Sequence, residues 1–168
     1  MEERTADDSR SVAPRDEYLL MTFEIARQGV ESGAGGPFGA VVVRGDDVLA
    51  RAHNQVVATS DPTAHAEIGA IRAACAVLNS FQLDDCELYA SCEPCPMCLG
   101  AIYWARPRAV FFSATRDDAA RAGFDDAFVY DEIALPPGAR ALPMTRVVHP
   151  RAADPFAAWA AKPDKVEY

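Results

Sequence analysis

Two short groups of metal-binding side chains constrain this chain more than any other feature. The first is Thr63-Ala64-His65-Ala66-Glu67, and the second is Pro94-Cys95-Pro96-Met97-Cys98. Each lies at the predicted start of a helix that follows strand-like sequence. Zinc prefers thiolate and imidazole ligands, and a catalytic zinc site has three protein ligands and a fourth position for water. A fold that joins the two groups must bring two helix starts together at one edge of a sheet.

We predict that His65, Cys95 and Cys98 bind one zinc ion. Cys95 and Cys98 are three residues apart in the first turn of a helix, so their sulfur atoms share one face. The helix N-terminus lowers thiol pKa values and favours the thiolates that a metal needs. His65 is expected in the first turns of a helix that is capped by Asp61 or Thr63.

The remaining cysteines leave one alternative open. Cys92 offers a fourth ligand, which would close the site and make it purely structural. Cys75 and Cys86 are predicted to be small core residues.

Glu67 is the predicted proton carrier. It is two residues from His65, about 200° round a helix, so it is not expected to be a metal ligand. Zinc lowers the pKa of its bound water and generates hydroxide near neutral pH. A carboxylate beside the metal takes the water proton and returns it to a ring nitrogen and then to a leaving amine. The expected reaction is hydrolytic deamination by zinc-bound hydroxide with a glutamate proton shuttle.

Composition limits the class of partner and the compartment. The net charge of −9 disfavours nucleic acid, because phosphate binding needs a cationic surface. Three of the five cysteines are crowded between 92 and 98, which favours a metal over disulfides. No apolar run approaches the roughly 20 residues of a membrane span, and the charged N-terminus is not a secretory signal. These observations predict a cytoplasmic protein with a small neutral substrate.

The rest of the chain alternates strands and helices with short links, which predicts an α/β fold with a βαβ unit and a mixed sheet. Residues 1–15 are predicted to be a disordered N-terminal extension, and 16–168 a single domain. The predicted elements are helices over 16–32, 63–78, 94–105, 116–123 and 154–161, a hairpin over 38–52, strands over 86–91, 109–113 and 145–148, and a loop or short helix over 124–130.

The motifs carry a resemblance to a known family. The chain resembles the cytidine deaminase-like superfamily and is most similar to its bacterial guanine deaminases. The zinc motifs are shared by the whole superfamily. The resemblance to its guanine deaminases rests on Gly123-Phe124-Asp125-Asp126 and on the terminal Glu167-Tyr168. The resemblance implies a three-layer α/β/α fold with a central five-stranded mixed sheet. It also implies a homodimer in which the C-terminal segment is swapped onto the partner.

The same resemblance implies the substrate contacts. A flat aromatic base needs a stacking face and a few polar groups along its edge. The implied contacts are Phe38 for stacking, the Asn54 side chain and the Ala66 backbone N–H for hydrogen bonds, Trp104 for the pocket wall, Asp126 for purine nitrogens or proton transfer, and Tyr168 as a lid. Each also has a structural interpretation: core for the two aromatic residues, a loop cap for Asn54, a solvated turn for Asp126 and a frayed end for Tyr168.

The predicted function is zinc-dependent deamination of guanine to xanthine and ammonia, with Glu67 and Asp126 as catalytic residues. One alternative is a deaminase of the same fold that acts on cytosine, guanosine, a pterin or an aminotriazine, since the fold does not choose the substrate. Another is a tRNA adenosine deaminase, which would need a basic surface. A zinc-stabilised scaffold is the non-enzymatic alternative, and Glu67 argues against it because a structural site does not require that acid.

Overall fold

The computed structural model describes residues 12–167, so Tyr168 and most of the predicted N-terminal extension lie outside the described residues. The chain divides into two units, with the division between Asp125 and Asp126. No helix among the described residues is both long and apolar enough to cross a membrane.

The first unit contains a four-stranded mixed sheet. Its strands are β1 (Gly39–Arg44), β2 (Asp47–His53), β3 (Glu87–Cys92) and β4 (Ala109–Ala114). The order is β2-β1-β3-β4, with β1 antiparallel to both neighbours and β3 parallel to β4. The predicted hairpin and the predicted mixed sheet are therefore confirmed.

The described part of the first unit also contains five helices. They are α1 (Asp16–Glu31), α2 (Val56–Thr59), α3 (Ala66–Leu78), α4 (Pro96–Ala105) and α5 (Arg116–Arg121). Of these, α4 connects the parallel strands β3 and β4 and completes the predicted βαβ unit. The short helix α2 was not predicted, because four residues are too few to show a helical period.

The core has two layers because successive side chains of a strand point to opposite faces of a sheet. Val41 and Val43 of β1 pack on one face with Tyr18 and Ile25 of α1. Ala40 and Val42 point to the other face and belong to the cluster that is completed by α3 and α4. The first unit therefore has three layers, with the sheet between α1 and the α3–α4 pair.

A buried ionic network lies at the start of β3. The side chain of Glu87 is 2% exposed and accepts hydrogen bonds from the Tyr89 hydroxyl at 2.7 Å, from Arg15 at 3.2 Å and from Arg108. Arg15 also donates to Asp46 Oδ1 at 2.9 Å. The last residue of the predicted disordered extension is therefore bound to the sheet.

The second unit consists of helices joined by segments without regular secondary structure. It contains α6 (Ala127–Ala134), a 3₁₀ turn over Pro137–Ala139 and α7 (Asp154–Ala161). The predicted strand over 145–148 is wrong, since these residues have no regular secondary structure and pair with no described strand. A strand needs the N–H and C=O groups of a neighbouring strand, and the described part of this unit contains no strand. The sheet therefore has four described strands rather than the expected five, and the domain swap stays a prediction.

Candidate metal centre

His65 is the N-cap of α3 and does not lie within it. Its backbone is extended (φ −72°, ψ 156°), and its carbonyl accepts the first helical hydrogen bond, from Gly69 N at 3.0 Å. The predicted cap at Asp61 or Thr63 is wrong. The carboxylate of Asp61 instead accepts from the backbone N–H of Thr63 at 2.8 Å and from its hydroxyl at 2.7 Å. Aspartate side chains commonly close such local turns, and this turn delays the helix until after His65.

Cys95 has the same position in the second ligand segment. It is the N-cap of α4, Pro96 is the first helical residue, and the Cys95 carbonyl accepts from Leu99 N at 2.8 Å. Proline suits this position because the first N–H of a helix has no intrahelical acceptor. Neither His65 nor Cys95 uses its side chain to cap its helix. Both side chains are therefore free for a ligand.

The two helix starts bring three potential ligand atoms together. One atom each from His65, Cys95 and Cys98 lies within 4.8 Å of the other two. His65 Nδ1 is 3.4 Å from the sulfur of Cys98 and 3.5 Å from that of Cys95. Tetrahedral zinc with ordinary bond lengths places nitrogen and sulfur ligands about 3.5 Å apart. The donor set and its spacing therefore fit zinc with three protein ligands.

The two sulfur atoms compete for one proton. A hydrogen bond with Cys98, followed by one with His65, lowers the pKa of Cys95 to about 4. The pKa of Cys98 is raised by its hydrogen bond with Cys95 and by burial. The pKa of His65 is raised, first by its hydrogen bond with Cys95. A divalent cation placed between these atoms would stabilise both thiolates and remove this competition.

Glu67 is buried beside these ligands, in the first turn of α3. It is 7% exposed, and burial raises the pKa of its carboxyl group. The negative charge of Cys95 raises the pKa further, whereas a hydrogen bond with Cys98 lowers it. Ala66, the first residue of α3, is fully buried, and N–H groups at this position have no acceptor within the helix.

Cys92 does not join the three-ligand group. Its thiol donates to the carbonyl oxygen of Thr115 at 3.5 Å, and burial raises its pKa to about 11. A protonated thiol is a poor zinc ligand. Among residues 12–167, the three-ligand group does not include Cys92, so the closed four-ligand alternative is not formed.

Asn54 organises the loop that precedes Phe38. It is 5% exposed, and its Oδ1 accepts from the backbone N–H groups of Gly36 and Val56, each at 3.2 Å. A Cβ on Gly35 would lie 2.1 Å from this oxygen, so only glycine fits there. The loop-cap interpretation therefore holds for the oxygen of the Asn54 amide, and its two N–H donors are the groups left for a substrate.

Phe38 is half-buried just before β1, at the end of the sheet where β3 leads to Cys95. The N–H of the following residue, Gly39, donates to Ser91 Oγ at 3.0 Å and so fixes this position beside the end of β3. The Phe38 ring lines a cleft of about 630 Å³ on the α1 side, together with Cys92 and Phe124. The three potential metal ligands do not line this cleft.

The structure does not test the roles of the other predicted substrate residues. Trp104 lies on α4 and is 64% exposed. Asp126 immediately precedes α6 in the second unit, without a side-chain cap to it. Tyr168 lies outside the described residues. Their predicted contacts therefore stay predictions.

Comparison with known families identifies the motif-bearing part of the chain. Residues 13–114 match the cytidine and deoxycytidylate deaminase zinc-binding region. This range includes the complete first-unit sheet and all three potential ligands.

Individual relatives extend the match to most of the chain. Guanine deaminase of Bacillus subtilis (strain 168) is 54% identical over 151 residues, which are 90% of this chain and 97% of that protein. A crystal structure of guanine deaminase from Bacillus subtilis superposes with a TM-score of 0.90 at 52% identity, covering 93% of this chain and 99% of that one. A tRNA-specific adenosine deaminase of Aquifex aeolicus (strain VF5) is 41% identical over 100 residues, 60% of this chain and 66% of that protein.

Proposed function

The chain belongs to the cytidine and deoxycytidylate deaminase zinc-binding family, and from this premise we propose that it hydrolyses guanine to xanthine and ammonia. The observation that carries the proposal is the buried carboxylate of Glu67 beside the three-ligand group. A structural zinc site does not need that acid, whereas a hydrolytic deaminase does. Similarity to guanine deaminase over nearly the full length of both chains supports guanine as the base.

The reaction replaces the amine at C2 of guanine by the oxygen of one water molecule and releases ammonia. His65, Cys95 and Cys98 would bind zinc, which when bound lowers the pKa of water and so supplies a nucleophile at neutral pH. Glu67 would transfer one proton of the attacking water to a ring nitrogen and the second proton to the amine, which then leaves as ammonia. Its carboxyl group suits this role, because burial raises its pKa and so makes the carboxylate a stronger proton acceptor.

The base is proposed to bind through one stacking face and several polar groups. The Asn54 amide has two N–H donors left once its oxygen is engaged by the loop, and the Ala66 N–H lies at the start of α3. Stacking on an aromatic ring is worth roughly 1–3 kcal/mol per base. The full proposed set is Phe38, Asn54, Ala66, Trp104, Asp126 and Tyr168, with Asp126 also assisting proton transfer.

A substrate panel tests this proposal. Zinc-loaded protein is assayed for ammonia release with guanine, cytosine, guanosine, a pterin, an aminotriazine and unmodified tRNA. We expect kcat/KM for guanine to exceed that for every other compound by at least about tenfold, because polar contacts to one base discriminate strongly. A higher kcat/KM for another compound would overturn the substrate assignment while leaving the deaminase chemistry intact.

We also propose a cytoplasmic homodimer in which the C-terminal segment is exchanged. Several large apolar side chains of the second unit are exposed in the single chain, including Val147 (82%), Val148 (80%) and Phe156 (76%). Exposed apolar surface of this kind marks interaction sites. Light scattering is expected to give twice the chain mass, and deletion of 144–168 should yield monomers. A monomeric full-length protein would contradict the proposal.

A further inference from the structure

The segment Ala122-Gly123-Phe124 ends α5 in a Schellman arrangement. Phe124 N donates to Ala119 O at 3.0 Å, and Gly123 N donates to Ala120 O at 2.9 Å. Gly123 has a φ of +93°, which L side chains rarely adopt, so a glycine is needed here. This helix stop fixes where the chain places the next side chain, Phe124.

The Phe124 ring packs edge-on against Phe38. The ring centroids are 5.1 Å apart and the ring planes meet at 84°. This geometry is the preferred edge-to-face arrangement, because the positive edge of one ring meets the negative face of another. The backbone of Gly36 lies against both rings, since a Cβ at this position would lie 3.0 Å from an atom of each ring. The pair is therefore packed without free space at Gly36.

The helix that carries Phe124 is also fixed at its other end. Thr115 and Asp118 form a reciprocal capping box at the start of α5. The N–H of Arg116 donates to the carboxylate of Glu93 at 3.1 Å, and Glu93 N donates to Ala114 O at 2.9 Å. Glu93 is two residues before Cys95. A six-residue helix is therefore held between the loop of the metal ligands and the ring of Phe38.

We propose that Phe124 is a positioning residue for the substrate base: its ring fixes the orientation of Phe38, on which the base stacks. This inference rests on the proposed function, since it assumes that a planar base stacks on Phe38. Phe124 is 43% exposed, so its burial contributes little to the core, and its one ring contact among the described residues is with Phe38.

The proposal predicts a specific kinetic signature. A ring that stacks on the base without contacting the reacting carbon stabilises the bound substrate and the transition state equally. Loss of that stacking therefore raises KM and leaves kcat unchanged. An aromatic pair is worth enough to change an equilibrium by about two- to tenfold. Loss of the Phe124 ring should therefore raise KM by about two- to tenfold.

The test compares two substitutions at this position with a matched control. Phe124→Leu keeps an apolar side chain but removes the ring, whereas Phe124→Tyr keeps the ring. Phe112 on β4 has a similar exposure of 46% and is paired with no ring in the described residues, so Phe112→Leu is the control. We expect a raised KM with kcat within about twofold for Phe124→Leu only. Unchanged KM in Phe124→Leu, or an equal rise in Phe112→Leu, would overturn the proposal.

A second variant approaches the ring pair from the other side. Gly36→Ala leaves both rings in the chain but forces them to move, so it should also raise KM more than kcat. If it lowers only Tm and leaves KM unchanged, the orientation of Phe38 does not matter and the proposal fails. Wild-type turnover of guanine is measured first. Should the panel select another planar base, the same KM comparison is made with that base, so the two proposals fail separately.

Discussion

Glu67 and Glu87 are the two buried acidic residues in the described part of the chain, with 7% and 1% of the whole residue exposed. They lie in the same unit but have different neighbours. Burial alone would raise the pKa of Glu87, but hydrogen bonds from Arg108, Tyr89 and Arg15 hold it below its ordinary value. Glu67 forms no ion pair with a lysine or arginine among residues 12–167, and its pKa is raised by burial.

The difference shows that burial does not distinguish a structural acid from a catalytic one. Both carboxylates have lost their contact with water, yet only Glu87 has cations to replace it. A carboxylate held by two arginines stays ionised and cannot exchange protons near neutral pH. A buried carboxylate without such a partner has a raised pKa and accepts a proton more readily, as a proton carrier requires. The cationic partners of each carboxylate, and not its degree of burial, distinguish the structural role from the catalytic role.

The largest expected effect comes from Glu67→Gln. The amide cannot accept the proton from water, so kcat should fall by about 10²–10⁴-fold. Bound zinc, measured by atomic emission, should stay at one per chain, because Glu67 is not a ligand. Tm should not fall, since the change removes a buried charge. Residual kcat above about a tenth of the wild-type value would show that Glu67 is not the proton carrier.

Glu87→Gln should instead lower the stability of the protein and leave its activity nearly unchanged. It leaves the guanidinium groups of Arg15 and Arg108 without their shared carboxylate, which in buried pairs costs about 3–5 kcal/mol. Because both arginine side chains are partly exposed, at 29% and 42%, we expect about 2–3 kcal/mol, or a Tm lower by roughly 5–10 °C. The kcat should stay within about twofold. A large loss of kcat at unchanged Tm would remove the distinction between the two acids.

The pH dependence of stability sharpens the same comparison. The pKa of Glu87 is lower in the folded than in the unfolded chain, so its stabilisation is present above the ordinary glutamate pKa of about 4.3. It is lost as the pH falls through the lower folded value. The difference in urea midpoint between wild type and Glu87→Gln should therefore be constant from pH 7 to 5 and shrink below about pH 4. A difference in urea midpoint that increases as the pH falls would contradict the assigned ion pairs.

The smallest effect is expected from Asp46→Asn. Asp46 contacts the same guanidinium group of Arg15 as Glu87 does, but its side chain is fully exposed. Solvent screens such a pair, so we expect no measurable change in Tm or kcat. A Tm loss comparable to that of Glu87→Gln would mean that Arg15, and not the buried carboxylate, dominates the network.

The sequence predicted the parts of this structure that have local signals. The hairpin, α1, α4 and the convergence of the ligand segments follow from periodicity and from the residues that start and stop helices. The network of Glu87 has no such signal, because Arg15 is 72 residues away from it and Arg108 is 21 residues away. Contacts of this kind depend on the register of strands, which a single sequence does not reveal.

One local prediction failed because a competing interaction was stronger. The carboxylate of Asp61 forms a turn with Thr63, and α3 begins only after His65, although Asp61 itself was a reasonable helix cap. The substrate contact of Asn54 stays a prediction: its amide oxygen accepts hydrogen bonds from the backbone N–H groups of Gly36 and Val56.

The N-cap positions of His65 and Cys95 make metal binding a reporter of folding. In the unfolded chain these ligands are 30 residues apart, and they meet only after two helices have begun at the same edge of the sheet. The rate at which an optical metal ion such as Co²⁺ acquires its tetrahedral spectrum during refolding would therefore time the docking of α3 and α4. A chelator added at successive times of refolding would then show when the three ligands have come together and retain the metal.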